Sequence, residues 1–353
     1  MSNFTDNSQI LSGPLVCSFD FTNRCMLKCL HCFNRSGNDL KRDELSDSEV
    51  LSIVDDFCKL KLHTFCICGG EALIRKELVL EACRRLSKSC KYVNIVSNGF
   101  LITKEVAIQL KNAGISLVQI SIDGKDSYSH DYMRGVKGSF DKAIKAIEIL
   151  DSLNIKINVA FSPTKFNIEE FPLVVKKLSK FKNLLSIRSQ PLMLLGRGSY
   201  NDIAPTEEQY RKMVKFIENF NFINNYKFIE WGDPIDHIIR YSSSYISNIF
   251  MINVKSDGTL LASPYLPFIV GNLKRHSIIE YWEAGLGKVW KIPFVVEISK
   301  SQSSISYLGK DENLPKMFFD KNIEFDIIDN DVFSNLNKYT LKNILKERCI
   351  NEL

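Results

Sequence analysis

Between residues 14 and 190 the chain alternates six times between short β-type runs and helix-type runs, and no other property narrows its fold as much. The β-type runs are residues 14–22, 63–68, 91–96, 116–122, 155–161 and 184–190, rich in β-branched and aromatic side chains. Helix signals stand between them. Ser46 with Glu49 forms a capping box for a helix from Asp47 to about Leu60, and Thr103 caps one that reaches Asn112, with Gly114 as its stop. Further helices are expected over about 76–87, 139–153 and 168–179. Regular strand–helix alternation implies βαβ units with right-handed crossovers and a parallel sheet. Six units predict an α/β fold, a partial (β/α)6 parallel barrel; eight would need more chain.

The texture changes after a helix expected from Thr206 to about Phe220. A strand is expected near 227–231, a Ser-rich loop at 241–249, and a hairpin over 250–262 on the Asp257-Gly258 turn. A short helix follows at 277–285, residues 286–330 carry no clear pattern, and 331–349 reads as a terminal amphipathic helix. The division expected is a tail (1–13), the barrel (14–222), a small α+β module (223–285) and an extension (286–353).

Polar motifs follow the strands, at the carboxyl ends where parallel α/β sheets bind ligands. The first is FDFTNRCMLKCLHCF, residues 19–33, with Cys25, Cys29 and Cys32 spaced by four and three. Three thiolates this close hold three corners of an iron–sulfur cube and leave the fourth iron open, where electron-transfer clusters usually take four cysteines. Structural zinc wants four closed ligands, which His31 would supply only by crowding between Cys29 and Cys32. Packing cysteines would sit on an apolar face; Arg24, Lys28 and His31 interleave with these.

Gly69-Gly70-Glu71 follows the second strand: glycines admit close backbone approach, and a carboxylate accepts from an ammonium group. Ser97-Asn98-Gly99 ends the third strand and is, taken alone, a polar turn. Ser121-Ile122-Asp123-Gly124 ends the fourth, and Arg134 stands shortly after it. Cys66 and Cys68 alternate onto one side of strand two; Cys68 reads as a packing residue or a hydrogen-atom donor facing the cavity. Cys17, Cys58, Cys83 and Cys90 read as inert core residues.

Bulk properties exclude other classes. The net charge of +5 is spread along the chain, with no basic block for nucleic acid. Nine of the ten cysteines precede residue 91, unlike a secreted disulfide scaffold. The first residues lack a signal-peptide pattern, and no apolar run has membrane-span length. A cytoplasmic, reducing location is expected.

C-x-x-x-C-x-x-C after a first strand, joined to the GGE, SNG and SIDG motifs, resembles the radical S-adenosylmethionine (SAM) superfamily; the HCF ending resembles its SPASM/twitch branch. The resemblance implies a 4Fe-4S cluster on Cys25, Cys29 and Cys32, whose open iron chelates SAM. Reductive cleavage of SAM then gives a 5′-deoxyadenosyl radical that abstracts hydrogen from substrate. It also implies SAM contacts from His31, Gly69, Gly70, Glu71, Ser97, Asn98, Ser121, Asp123 and Arg134. Ala72 stands where the family usually has proline, and Ala262-Ser263-Pro264 where the branch places a cysteine. Residues 285–330 lack the branch's later cysteines, so one cluster is expected and a C-terminal module without iron. By analogy with the branch the substrate is a peptide, with an electron donor such as a flavodoxin or ferredoxin and a separate peptide-recognition protein as partners. Strand one is expected to start by residue 15, so no recognition domain is expected ahead of it and recognition is expected to fall to residues 200–353 or to that partner. The alternatives are the same chemistry on a sugar, nucleotide or cofactor precursor, and a non-enzymatic iron–sulfur protein.

Overall fold

The computed structural model describes residues 11–37, 43–199, 201–225, 228–232, 236, 238, 251–266, 268–301 and 322–350. Seven parallel strands run in sequence order: β1 (Val16–Asp20), β2 (Thr64–Cys68), β3 (Tyr92–Ser97), β4 (Leu117–Ser121), β5 (Ile157–Phe161), β6 (Leu184–Ser189) and β7 (Ile229–Trp231). The expected parallel barrel is present, with one strand beyond its six. The helices between the strands are α1 (Asp47–Leu60), α2 (Lys76–Leu86), α3 (Lys104–Asn112), α4 (Ser127–Arg134), α5 (Ser139–Ser152) and α6 (Phe171–Leu178), with α7 (Glu207–Ile223) before β7. The Ser46/Glu49 capping box and the Thr103 cap form as the residues dictate. The helix expected at 168 opens instead as a 3-10 turn over Ile168–Glu170. Helix α4 carried no periodic signal; Asp126 caps it and Gly135, at φ 68°, ends it.

Strand alternation divides the sheet into two faces. Phe65, Ile67, Val93, Ile95, Val118, Ile120, Ile157, Val159 and Ile187 point outward and are fully enclosed in the hydrophobic core. Each large apolar side chain buried this way contributes about 1.5–3 kcal/mol. Ser18, Asp20, Cys66, Cys68, Asn94, Gln119, Asn158 and Ser186 alternate onto the inner face. Barrels usually fill that space with bulky branched residues. Small and polar ones leave a lumen here, and a cavity of about 560 Å³ opens at the carboxyl rim.

Among the described residues, the C-terminal strands join the same sheet. β8 (Met251–Val254) pairs parallel with β1, β9 (Thr259–Leu261) and β10 (Phe268–Asn272) follow antiparallel, and β11 (Ile323–Glu324) closes the far edge. One eleven-stranded sheet results. The expected hairpin turns on Gly258, at φ 84°. Helix α8 (Ile278–Glu283) carries its own capping box from Ser277 and Glu280. Residues 286–301, without pattern in the sequence, form a 3-10 turn over Leu286–Lys291 and helix α9 (Pro293–Ser301). The terminal helix expected from Asp331 is shorter. Two 3-10 turns, Val332–Ser334 and Leu336–Lys338, precede α10 (Leu341–Ile350), because the backbone leaves the helical region at Asn335 (φ −125°, ψ 31°) and again at Tyr339 (φ −97°, ψ 49°). The Ser-rich stretch 241–249 lies outside the described residues.

Candidate active site

The loop after β1 carries the three thiols to the mouth of the lumen, and Cys25, Cys29 and Cys32 all line the cavity. Three supports fix this loop. Glu44 accepts from the Thr22 hydroxyl at 2.9 Å and from the Asn23 amide. The Gly70 amide donates to Thr22 O at 2.8 Å and the Glu71 amide to Arg24 O at 2.9 Å. A Cβ on Gly69 or Gly70 would stand 2.3 Å from those same carbonyls, so the backbone approached so closely is the protein's own. On the other side Arg197 donates from Nε to Cys29 O and from Nη1 to Ser36 O, each at 2.8 Å.

The donor set suits a cluster better than a single ion. A tetrahedral zinc would hold thiolates less than about 4 Å apart. Among the described residues only His276, Asp326 and Asp329 bring three metal-ligating atoms within 4.8 Å of one another; the three thiols are spread wider. Backbone amides of Leu27 and Ser36 point at Cys25 Sγ and Cys32 Sγ, each at 3.4 Å, and hydrogen bonds to sulfur tune such clusters. Burial pushes the Cys25 thiol up to about 11 and also raises Cys29, the latter opposed by Arg134. Bound iron would hold these sulfurs as thiolates.

Four of the predicted residues form one buried network. Arg134 reaches Cys29 Sγ with Nη1 at 3.6 Å and pairs with Asp123 Oδ2 through Nη2 at 2.7 Å. His31 Nε2 lies 3.3 Å from the same carboxylate oxygen. Burial is the largest influence on Asp123 and would raise it; the guanidinium of Arg134, the neighbouring histidines and the Ser162 amide together outweigh it and hold the carboxyl below its ordinary value. Burial takes His31 down to about 4, so its ring is neutral, and its Nδ1 has no protein partner. The Nε of Arg134 is likewise without one.

Glu71 is placed differently from a group that meets an ammonium ion directly. Its side chain is fully enclosed and does not line the cavity. It accepts from Ser97 Oγ at 3.0 Å, Asn98 N at 2.8 Å and Leu73 N at 3.3 Å. Burial pushes its carboxyl up to about 7. The carboxylate thus ties the end of β3 to the Gly-Gly turn. Ser97, Asn98 and Ser121 line the cavity, and the Asn98 amide nitrogen lies 3.8 Å from Cys25 Sγ.

Other residues of the wall were not singled out from the sequence: Gln119, Arg188, Gln190, Glu230 and Trp231. Arg188 and Glu230 are cross-strand partners, and their side chains meet at 3.0 Å. The signal was a polar or charged residue at alternate positions of an otherwise apolar strand, as in LVQIS and LSIRS. Beyond β8, Lys255 donates to Asn34 Oδ1 at 2.6 Å and to Asp20 Oδ2 at 3.2 Å, which fastens the hairpin to the thiol loop.

Fold and site together define an α/β-barrel protein with a three-thiol cradle on the carboxyl rim of its sheet. Residues 19–178 match the pattern of the radical SAM superfamily, whose members use a 4Fe-4S cluster and S-adenosylmethionine. It is 33% identical over 205 residues to the Fe-coproporphyrin III synthase of Methanosarcina barkeri, across 58% of this chain and 51% of that protein. To the mycofactocin maturase MftC of Mycolicibacterium smegmatis it is 32% identical over 216 residues, across 59% of this chain and 52% of that one. The chain thus spans about half the length of these two relatives. In fold it is similar to Streptococcus suis SuiB bound to S-adenosylmethionine, with a TM-score of 0.65 at 17% identity, across 84% of this chain and 72% of that one.

Proposed function

We propose that this chain is a radical SAM enzyme that abstracts a hydrogen atom from a peptide substrate during peptide maturation. The observation that carries the reading is the convergence of three unpaired thiols, each met by an N–H donor, on a cavity lined by polar and apolar side chains together. In this reading Cys25, Cys29 and Cys32 hold a single cluster, and the SAM contacts come from His31, Gly69, Gly70, Ser97, Asn98, Ser121 and Arg134. Glu71 and Asp123 act as positioning residues. When bound, cluster and SAM supply a 5′-deoxyadenosyl radical. The chain's own residues do the rest: Arg134 and Asp123 orient Cys29 and His31, Glu71 fixes the third rim turn, and the buried rim excludes water.

The peptide assignment draws on the similarity to a mycofactocin maturase. A second reading, a small-molecule cofactor precursor, draws on the comparable similarity to Fe-coproporphyrin III synthase. A flavodoxin- or ferredoxin-class protein is the proposed reductant, with a separate peptide-recognition protein as second partner. No described helix is long and apolar enough to cross a membrane, and we place the protein in the reducing cytoplasm. Residues 223–285 are proposed to act as a SPASM/twitch-like module without iron, followed by the 286–353 extension.

The test is anaerobic reconstitution with iron and sulfide, then SAM and dithionite. 5′-Deoxyadenosine is the expected product; a reduced cluster that yields none leaves a non-enzymatic iron–sulfur protein. Deuterium transfer into 5′-deoxyadenosine from labelled peptides, and none from labelled small molecules, supports the peptide reading; the reverse replaces it.

A further inference from the structure

The cavity wall formed by β6 and β7 carries a charged pair that the thiol cradle does not use. Arg188 and Glu230 stand opposite each other in register, and both line the cavity. Arg188 donates from Nε to Glu230 Oε2 at 3.0 Å. Neither side chain has another hydrogen bond or ion pair. Both Nη groups of Arg188 and Oε1 of Glu230 are therefore unclaimed, on side chains that are 55% and 36% exposed.

The fold does not depend on this pair, because ion pairs so exposed contribute little to stability. At the same level of the sheet the inward residues are Ser121 on β4 and Ala160 on β5, small and uncharged, and both line the same cavity. The charges on β6 and β7 thus face open space rather than a packed neighbour.

Their signs restrict what that space can hold. An anion drawn to Arg188 is repelled by Glu230, and a cation drawn to Glu230 is repelled by Arg188. A neutral group with a donor and an acceptor on one edge satisfies both. An extended peptide residue is such a group: its N–H and C=O point to the same side, as they do toward the partner strand in an antiparallel ladder. The surroundings suit a peptide. Gln119 lines the cavity with no hydrogen bond of its own and offers both a donor and an acceptor. Trp231, next to Glu230 and also on the wall, supplies an aromatic surface for a side chain.

We propose that Arg188 and Glu230 clamp the main chain of one extended residue of the substrate. The Nη groups of Arg188 donate to its carbonyl, and Oε1 of Glu230 accepts from its N–H. The proposal rests on the peptide reading of the site. A grip on main-chain groups orients the chain in the cavity and leaves the side chain of the gripped residue free, except that proline, which has no N–H, is refused.

The test is a binding measurement and needs no turnover. Reconstituted holo-protein with SAM and no reductant is titrated with N-acetyl-trialanine amide, followed by saturation-transfer NMR of the peptide. Wild type is expected to bind it, R188Q and E230Q to lose roughly tenfold in affinity, as for one hydrogen bond to a charged group, and the charge-exchanged R188E/E230R to recover most of the loss. Iron content and circular dichroism check that each variant is folded. A second arm uses wild type alone with three peptides, each N-methylated at one residue; one of them is expected to lose a similar factor. Equal affinity for all four peptides, equal affinity of wild type and both single variants, or no binding to wild type overturns the clamp. So does a free terminal carboxylate or amine that tightens binding in wild type and loses that gain in R188Q or E230Q, since the pair then reads a charge. Formation of 5′-deoxyadenosine by the reduced protein decides the radical reading separately: with it and without peptide binding the clamp alone falls, whereas binding without it leaves the clamp and removes that reading.

Discussion

The thiol rim and the C-terminal extension of the sheet are joined strand to strand, yet they are held by opposite means. At the rim, loops are fixed by charge and by main-chain donors: Arg134 with Asp123, Arg197 on two carbonyls, Glu71 under three donors. In the extension, Phe268, Phe294 and Phe325 stack edge-on with ring centroids 4.8–6.3 Å apart, and no cysteine stands between residues 91 and 348. The contrast teaches where chemistry and stability reside. Polar buried networks specify a geometry at high cost if one partner is lost, whereas aromatic packing supplies stability without fixing the position of any reactive group.

The contrast breaks most visibly at the sulfurs. Alanine at Cys25, Cys29 or Cys32 is expected to abolish both the cluster's visible absorbance and 5′-deoxyadenosine formation, while C349S changes neither. Equal iron content in the C25A and C349S proteins would refute the assignment of the cradle. Phe294→Ala should cost about 3–5 kcal/mol through the cavity it leaves, read by urea unfolding, while iron per folded chain is unchanged. Arg134→Gln strands the buried Asp123 charge and should cost about 3–5 kcal/mol; here iron content falls as well. The double variant D123N/R134Q should recover part of the stability, because no charge is then left alone.

The smallest effect is a pH slope. Burial raises Glu71 from 4.5 to about 7, so the folded chain holds this proton more tightly than the unfolded one. Its contribution to stability is full below about pH 4.5, declines as the pH rises toward about 7 and is level beyond. Melting temperatures of E71Q should lack this component of the decline. Parallel curves for the two proteins would mean that Glu71 is already ionised under its three donors.

Much of the rim was legible because its residues are local in sequence. Strand, loop and motif follow one another within a few positions, and alternation placed β1 to β6 correctly. The cysteine spacing, Asp123 and Arg134 could be found in the same way, although nothing in the spacing of the last two revealed that they pair. What stayed hidden depends on distant partners. Arg197 shows its role only when Cys29 and Ser36 arrive opposite it. Glu71 looked like a ligand-facing carboxylate until Ser97 and Asn98 closed over it. The extension was least legible, since residues 286–301 fold on contacts with Phe268 and Phe325 rather than on a periodic pattern of their own. Asn335 and Tyr339 broke the expected terminal helix by backbone conformations that periodicity does not encode.

The placement of β8 beside β1 has a consequence for biosynthesis. Asp20 and Asn34 receive their cation from Lys255, some 235 and 221 residues later in the chain. At ribosomal rates of about 5–20 residues per second, the sulfurs leave the exit tunnel on the order of tens of seconds before the strand that completes their seat. Iron delivered before residue 255 has emerged would meet a cradle without that cation, so loading of the sulfurs is expected to follow the docking of β8 on β1.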